Sequence, residues 1–191
     1  MTILGISGSL RRDSHNTRAL RAAADYVGEG VALEVWEGLK AIPPYDEDDD
    51  GSAAPAAVAD LRSAIAGADA VLFATPEYNA SIPGQLKNAL DWISRPLATN
   101  ELRNKPVAVV GASTGMFGAV WSQAELRKVL KTIGARVVED GVAFTSAPSR
   151  FDEGNRLVDE ELCVELEAVL AKLVGEAHAR GEVAAETVRA A

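Results

Sequence analysis

Ala70-Val-Leu-Phe-Ala-Thr-Pro-Glu-Tyr-Asn-Ala-Ser-Ile-Pro-Gly-Gln-Leu-Lys-Asn-Ala-Leu-Asp-Trp-Ile93 is the stretch that decides the fold. Its first five residues are apolar without alternation, the pattern of a strand buried on both sheet faces. Pro76 and Pro83 then stiffen the two ends of a loop. From Gly84 onward Leu86, Ala89, Leu90 and Ile93 recur at helical spacing. An apolar strand passing through a loop into an amphipathic helix is a unit of a parallel sheet, whose next strand must be reached by a crossover.

The same unit repeats on either side. Thr2 to Ser7 reads as a buried strand, followed by a helix with Leu20, Ala23, Ala24 and Val27 on one face. Val31 to Trp36 alternates as a second strand, and Gly38 to Gly51, with Pro43, Pro44 and the acidic run Asp46 to Asp50, is a loop. Pro55 opens a helix carrying Val58, Leu61 and Ile65. Val107 to Val110 is a fourth strand, followed by a glycine-rich loop and a helix from about Phe117 to Ile133. Gly134 stops that helix, and a fifth strand starts over Ala135 to Glu139. A last helix runs from about Asp159 to Arg180. Five strands alternating with helices predict an α/β fold, a doubly wound five-stranded parallel sheet with helices on both faces. One domain is expected over 1–180, with 181–191 as a frayed tail.

Composition narrows the function. The chain has 191 residues, 48% hydrophobic and 25% charged, with a formal charge of −9. Such an acidic surface argues against nucleic acid and anionic membrane as partners. Cys163 is the single cysteine, so thiolates of one chain build no disulfide, zinc cage or iron–sulfur cluster. Neither a signal segment nor a membrane span is visible, and a reducing cytoplasm is the expected location.

Ligands of doubly wound sheets bind at the carboxyl ends of the strands, where the winding reverses. The loop after strand one, Gly5-Ile-Ser-Gly-Ser-Leu-Arg-Arg-Asp-Ser-His-Asn16, joins short polar side chains (Ser9, Ser14, Asn16) to Arg11, Arg12 and a helix N-terminus. That combination suits a phosphate. Equally, Ser14 or Asn16 simply caps the helix and the arginines face water. His15 reads as a loop surface residue. There is no Gly-Lys-Ser/Thr ending, and Gly5 and Gly8 are followed by Leu10, so neither a Walker loop nor a dinucleotide fingerprint is present. In the loop after strand three, a stiff backbone with Tyr78 and Asn79 can rim a planar heterocycle. After strand four, Gly111-Ala-Ser-Thr-Gly-Met-Phe-Gly-Ala119 lets backbone approach a ligand, and Ser113 can donate to it. Met116 and Phe117 fit a pocket wall, a subunit contact or core; Trp36, Trp92 and Trp121 are best explained by packing.

Residues 75 to 92 resemble the signature of the NADPH-dependent FMN reductase family, which includes bacterial quinone, chromate and azo-dye reductases. Gly8-Ser-Leu-Arg with Ser14 and Asn16 is similar to that family's phosphate loop, and Ile42-Pro-Pro-Tyr-Asp-Glu-Asp to its loop after strand two. The resemblance implies a flavodoxin-like sheet of order 2-1-3-4-5, noncovalent FMN, and a homodimer or homotetramer. It implies that Ser9, Arg11, Ser14 and Asn16 hold the phosphate and that Pro76, Glu77, Tyr78 and Asn79 line the isoalloxazine. Leu10, His15, Ser113 and Gly115 complete the candidate set. Gly118-Ala119 stands where the family has two glycines, which bears on how closely a ring can approach. The implied activity passes two electrons from NADPH or NADH through FMN to a small acceptor, with no catalytic side chain and no metal. A flavodoxin-type electron carrier is the alternative, and a relative releasing reduced FMN is a third. Preference for NADPH over NADH comes from the resemblance alone, since no 2′-phosphate site is identifiable in the sequence.

Overall fold

The strands β1 (Thr2–Ser7), β3 (Ala70–Thr75) and β4 (Pro106–Ala112) are buried along nearly their whole length because both faces of the sheet are covered. They come from a computed structural model that describes residues 1–51 and 54–189, with side chains placed through Glu182. With β2 (Ala32–Trp36) and β5 (Arg136–Val137) they form a parallel sheet of order β2-β1-β3-β4-β5, the expected order. Alternate residues feed two cores. Ile3, Ala70, Leu72, Ala74, Ala108 and Val110 meet α1 (His15–Ala23) and α5 (Glu160–Arg189). Leu4, Ile6, Val71, Phe73, Val107 and Val109 meet α2 (Ala56–Gly67), α3 (Gly84–Ile93) and α4 (Val120–Ile133). The first face carries small residues, Gly5 among them. A Cβ there would stand a tight 3.2 Å from Leu33 of β2 and in ordinary contact, 3.4 Å, with Leu20 of α1, so the missing side chain mainly makes room for Leu33.

Three boundaries differ from the sequence reading. The fifth strand is split: β5 pairs with the start of β4, and β6 (Ala143–Phe144) pairs with its end. Between them Gly141 crosses so near β4 that a Cβ would lie 2.6 Å from the Val109 carbonyl, and the ladder breaks. Helix α4 starts at Val120 rather than Phe117 because Gly118 (φ 53°) and Ala119 (φ 62°) are left-handed. Helix α5 continues to Arg189, beyond Arg180 where the sequence reading ends it, through a run rich in alanine, glutamate and valine. Ala190 and Ala191 lie outside the described residues. No helix among the described residues is long and apolar enough to cross a membrane.

The signature helix α3 has a structural task beyond its apolar face. Gln85 donates to the carbonyls of Leu39 and Ile42, while Asn88 and Trp92 both donate to that of Pro43. Spaced at i, i+3 and i+7, these side chains share one face and pin the loop after β2. Trp92 is fully buried, as packing requires, and Asp91 pairs with Lys87 on the exposed side.

Candidate functional site

Three turns meet at the carboxyl ends of β1, β3 and β4 and enclose a cleft of about 180 Å3. Nine of the twelve candidate residues line it: Ser9, Arg11, Ser14, His15, Asn16, Pro76, Glu77, Tyr78 and Ser113. Leu10 lines two neighbouring hollows instead, and Asn79 and Gly115 stand outside the wall. Ala112 and Thr114 belong to the wall but were missed, since apolar and hydroxyl residues at a strand's end carry no signal of their own.

The first turn leaves β1 through Gly8, whose N–H donates to the Ala74 carbonyl at 2.8 Å. A Cβ on Gly8 would sit 2.8 Å from Leu86 Cδ2, so any other residue there would push the leucine side chain of α3 aside. Ser14 resolves the capping question: its hydroxyl accepts from the N–H groups of Asn16 and Thr17, at 3.2 and 3.3 Å, and caps α1. Asn16 is 3% exposed, and its amide makes a two-way contact with β4. Nδ2 donates to the Ala112 carbonyl and Oδ1 accepts from the Ala112 N–H, both at 2.9 Å. Asn16 therefore ties the first turn to the third. Ser7 and Thr17, joined hydroxyl to hydroxyl at 3.0 Å, brace the turn from beneath. Arg11 lies over the loop with one Nη on the Asp13 carbonyl, and its guanidinium stays exposed at the cleft.

His15 is the first residue of α1. Burial holds its imidazole below the ordinary histidine range, and the charges of Arg11 and Arg18 push the same way, so it is neutral at pH 7. Its Nδ1 is buried and has no hydrogen-bond partner among the described residues. A buried, unpartnered polar atom in a cleft wall calls for a polar ligand or water.

In the second turn, Tyr78 and Ser81 exchange N–H···O=C bonds of 3.1 Å in both directions. Asn79 (φ 54°) and Ala80 (φ 59°) occupy the two central places, which makes it a type I′ turn. The Tyr78 ring is half-exposed at the cleft mouth. Glu77, in the cleft wall, also serves a neighbouring helix. Its Oε2 accepts from the N–H groups of Trp121 and Ser122, both at 3.1 Å, and so caps α4. The residue preceding that helix, Ala119, offers no side-chain acceptor. Thr75 and Ser122 share a 2.9 Å contact, and Ser122 also donates to the Pro76 carbonyl, which fastens the turn to α4.

The third turn folds on itself. Gly115 N–H donates to Ser113 Oγ, and Ser113 and Gly115 carbonyls accept from Ala147 and Ser146. The methyl of Ala119 is 2% exposed and faces Gly111 on β4, not the cleft. The departure from two glycines therefore leaves ligand approach unobstructed. Beyond the turn, Met116 (74%), Phe117 (55%), Val120 (39%) and Trp121 (50%) are exposed, and the packing that the sequence reading gives Trp121 is an edge-on contact with Phe117 at 5.0 Å rather than a place in the core. Trp36 is half-buried in the wall of a second cleft.

The site suits FMN on its own evidence: an unpartnered neutral imidazole, an exposed guanidinium at a helix start, and a stiff turn opposite a glycine-bearing one. There is no cluster of metal-ligating residues among the described ones. Comparison with known proteins agrees. The family model for NADPH-dependent FMN reductase matches residues 1–149. An NAD(P)H-dependent FMN reductase of Pseudomonas aeruginosa is 43% identical over 160 residues, covering 83% of this chain and 85% of its own. A quinone reductase of Pseudomonas putida is 36% identical over 156 residues, covering 81% and 83%. The flavoenzyme NAD(P)H:(acceptor) oxidoreductase FerB of Paracoccus denitrificans superposes with a TM-score of 0.83 at 31% identity, covering 93% of this chain and 97% of its own. The chain belongs to the NADPH-dependent FMN reductase family.

Proposed function

We propose that this chain is an FMN-dependent NAD(P)H oxidoreductase that passes two electrons from a reduced nicotinamide nucleotide to a small acceptor: a quinone, chromate, an azo dye or free flavin. The observation that carries the reading is the cleft itself, with the His15 Nδ1 unpartnered in its wall and the Arg11 guanidinium at its edge. FMN bound there would supply the two-electron redox chemistry that links the nucleotide to the acceptor.

The chain's residues bind and orient. Ser9 and Arg11 hold the phosphate beside the positive end of α1, where an anion is favoured. The neutral His15 donates or accepts one hydrogen bond without adding charge. Pro76 to Asn79 present a backbone rim fixed by the I′ turn, and Tyr78 shields one side of the mouth from water. Ser113, whose hydroxyl accepts from the Gly115 N–H, would offer its O–H to the polar edge of the ring. Ser14, Asn16 and Glu77 set the positions of α1, β4 and α4 rather than touching the cofactor. Within the same proposal the site is one domain over 1–180, and the protein is cytoplasmic. It assembles as a homodimer or homotetramer through the exposed Met116, Phe117, Val120 and Trp121, an apolar cluster of the kind interfaces cover.

Anaerobic mixing of FMN-loaded protein with NADPH tests the activity. Loss of the flavin's blue absorbance, and its return on adding benzoquinone, is the expected outcome. A band that stays unbleached contradicts the proposal.

A further inference from the structure

A second, larger cleft opens at the carboxyl ends of β1 and β2, with a volume of about 320 Å3. It meets the flavin cleft along Ser9 and Arg11, which line both. In a chain of net charge −9, four cationic side chains face this one hollow: Arg11, Arg12, Arg21 and Lys40. Its single carboxylate, Glu37, is already paired with Arg21 at 2.9 Å. Arg12 and Lys40 are exposed and form no ion pair among the described residues. A pocket with unpaired cations in an acidic protein focuses a local positive potential on an anion.

The same cleft has an aromatic wall. The Trp36 indole is fixed at its nitrogen by a 2.8 Å hydrogen bond to Asp60 Oδ2. It lies so close over Gly38 that a Cβ there would be 2.3 Å from the ring. Any other residue at 38 would displace the indole. Val35, Leu10 and the buried Leu39 extend the apolar lining. A fixed indole beside unpaired cations matches a ligand with a flat heterocycle and a phosphate close together.

We propose that this cleft binds the adenosine end of NADPH, with Arg12 and Lys40 holding the 2′-phosphate and Trp36 beside the adenine. The inference rests on the flavin reading, because the shared Ser9–Arg11 border is what lets one dinucleotide reach both clefts. It makes the preference for NADPH over NADH a joint property of the loops after β1 and β2, which supply Arg12 and Lys40 respectively.

The test is calorimetric titration of FMN-loaded protein with 2′,5′-ADP and with 5′-AMP. The 2′-phosphate should tighten binding by about tenfold or more, the size of one or two charge-assisted contacts. Lys40→Glu and Arg12→Glu should each erase most of that ratio, while Arg103→Glu, an exposed cation outside the cleft, should not. Equal binding of the two probes overturns the proposal. So does an equal loss in the Arg103 variant, which would mean a diffuse field rather than a site. Calorimetry reads the nucleotide with or without flavin. A colourless protein therefore contradicts the FMN reading, and a yellow one that ignores Lys40→Glu contradicts this inference.

Discussion

Replacing Asn16 by alanine separates a structural tie from a ligand contact. Asn16 and Ala112 are 3% and 2% exposed, and the amide closes two hydrogen bonds of 2.9 Å onto the Ala112 backbone. Each such bond contributes about 1 kcal/mol net, and each buried backbone group left without a partner costs a further ~1–3 kcal/mol. Both residues border the cleft, so water can reach the vacated space and the penalty falls near the low end. The sum over two bonds and two backbone groups is a loss of about 4 kcal/mol, a large share of the ~5–15 kcal/mol typical of a domain. Urea unfolding of flavin-stripped protein measures it free of ligand linkage. The expected result is a lower midpoint with an unchanged slope. If the stripped variant loses less than about 0.5 kcal/mol while FMN affinity falls tenfold, the amide is a ligand and this reasoning is wrong.

Two further outcomes follow from the geometry. Glu77→Ala removes the acceptor for two N–H groups at the start of α4, and should cost about 1–2 kcal/mol in urea unfolding; Glu77→Gln, which keeps one oxygen acceptor but loses the charge, should cost less. Equal, negligible losses in both would remove the capping role. Lys105 is 2% exposed and donates to the carbonyls of Ala66 and Ala68 at the end of α2; burial, aided by the charge of Arg180, brings its amine down to about 8. An unfolded chain keeps a lysine near ~10.4, so between these values the unfolded state holds the extra proton. Stability contributed by this group therefore rises with pH across that window, by up to about 3 kcal/mol. The difference in unfolding free energy between the parent and Lys105→Met, followed from pH 7 to 10.5 in steps, should show that rise; a flat difference contradicts it.

The positions of the site were readable from the sequence and the tasks of its side chains were not. Ala70 to Ala74 could only be a doubly covered strand, and the strand–loop–helix order then placed three turns at one end of a parallel sheet. Most of the candidates accordingly stand around one cleft. Asn16 and Glu77 sit where a ligand residue would sit, yet their partners lie 96 and 44 residues away, beyond any local pattern. The break in the fifth strand depends on how near Gly141 passes to Val109, a tertiary fact. The late start of α4 depends on two consecutive left-handed residues, of which only Gly118 hinted at the turn. The burial of Lys105 depends on the end of α2 closing over it, which no local pattern around residue 105 encodes.

The central claim is that the turns after β1, β3 and β4 together grip one FMN. A crystal structure of the complex with FMN measures that directly. The phosphate is expected beside Ser9, Arg11 and the start of α1, with the ring between residues 76–79 and 113–115 and the His15 Nδ1 newly partnered. Electron density for the phosphate in the Arg12–Lys40 cleft, with the 180 Å3 cleft left to solvent, would contradict the account.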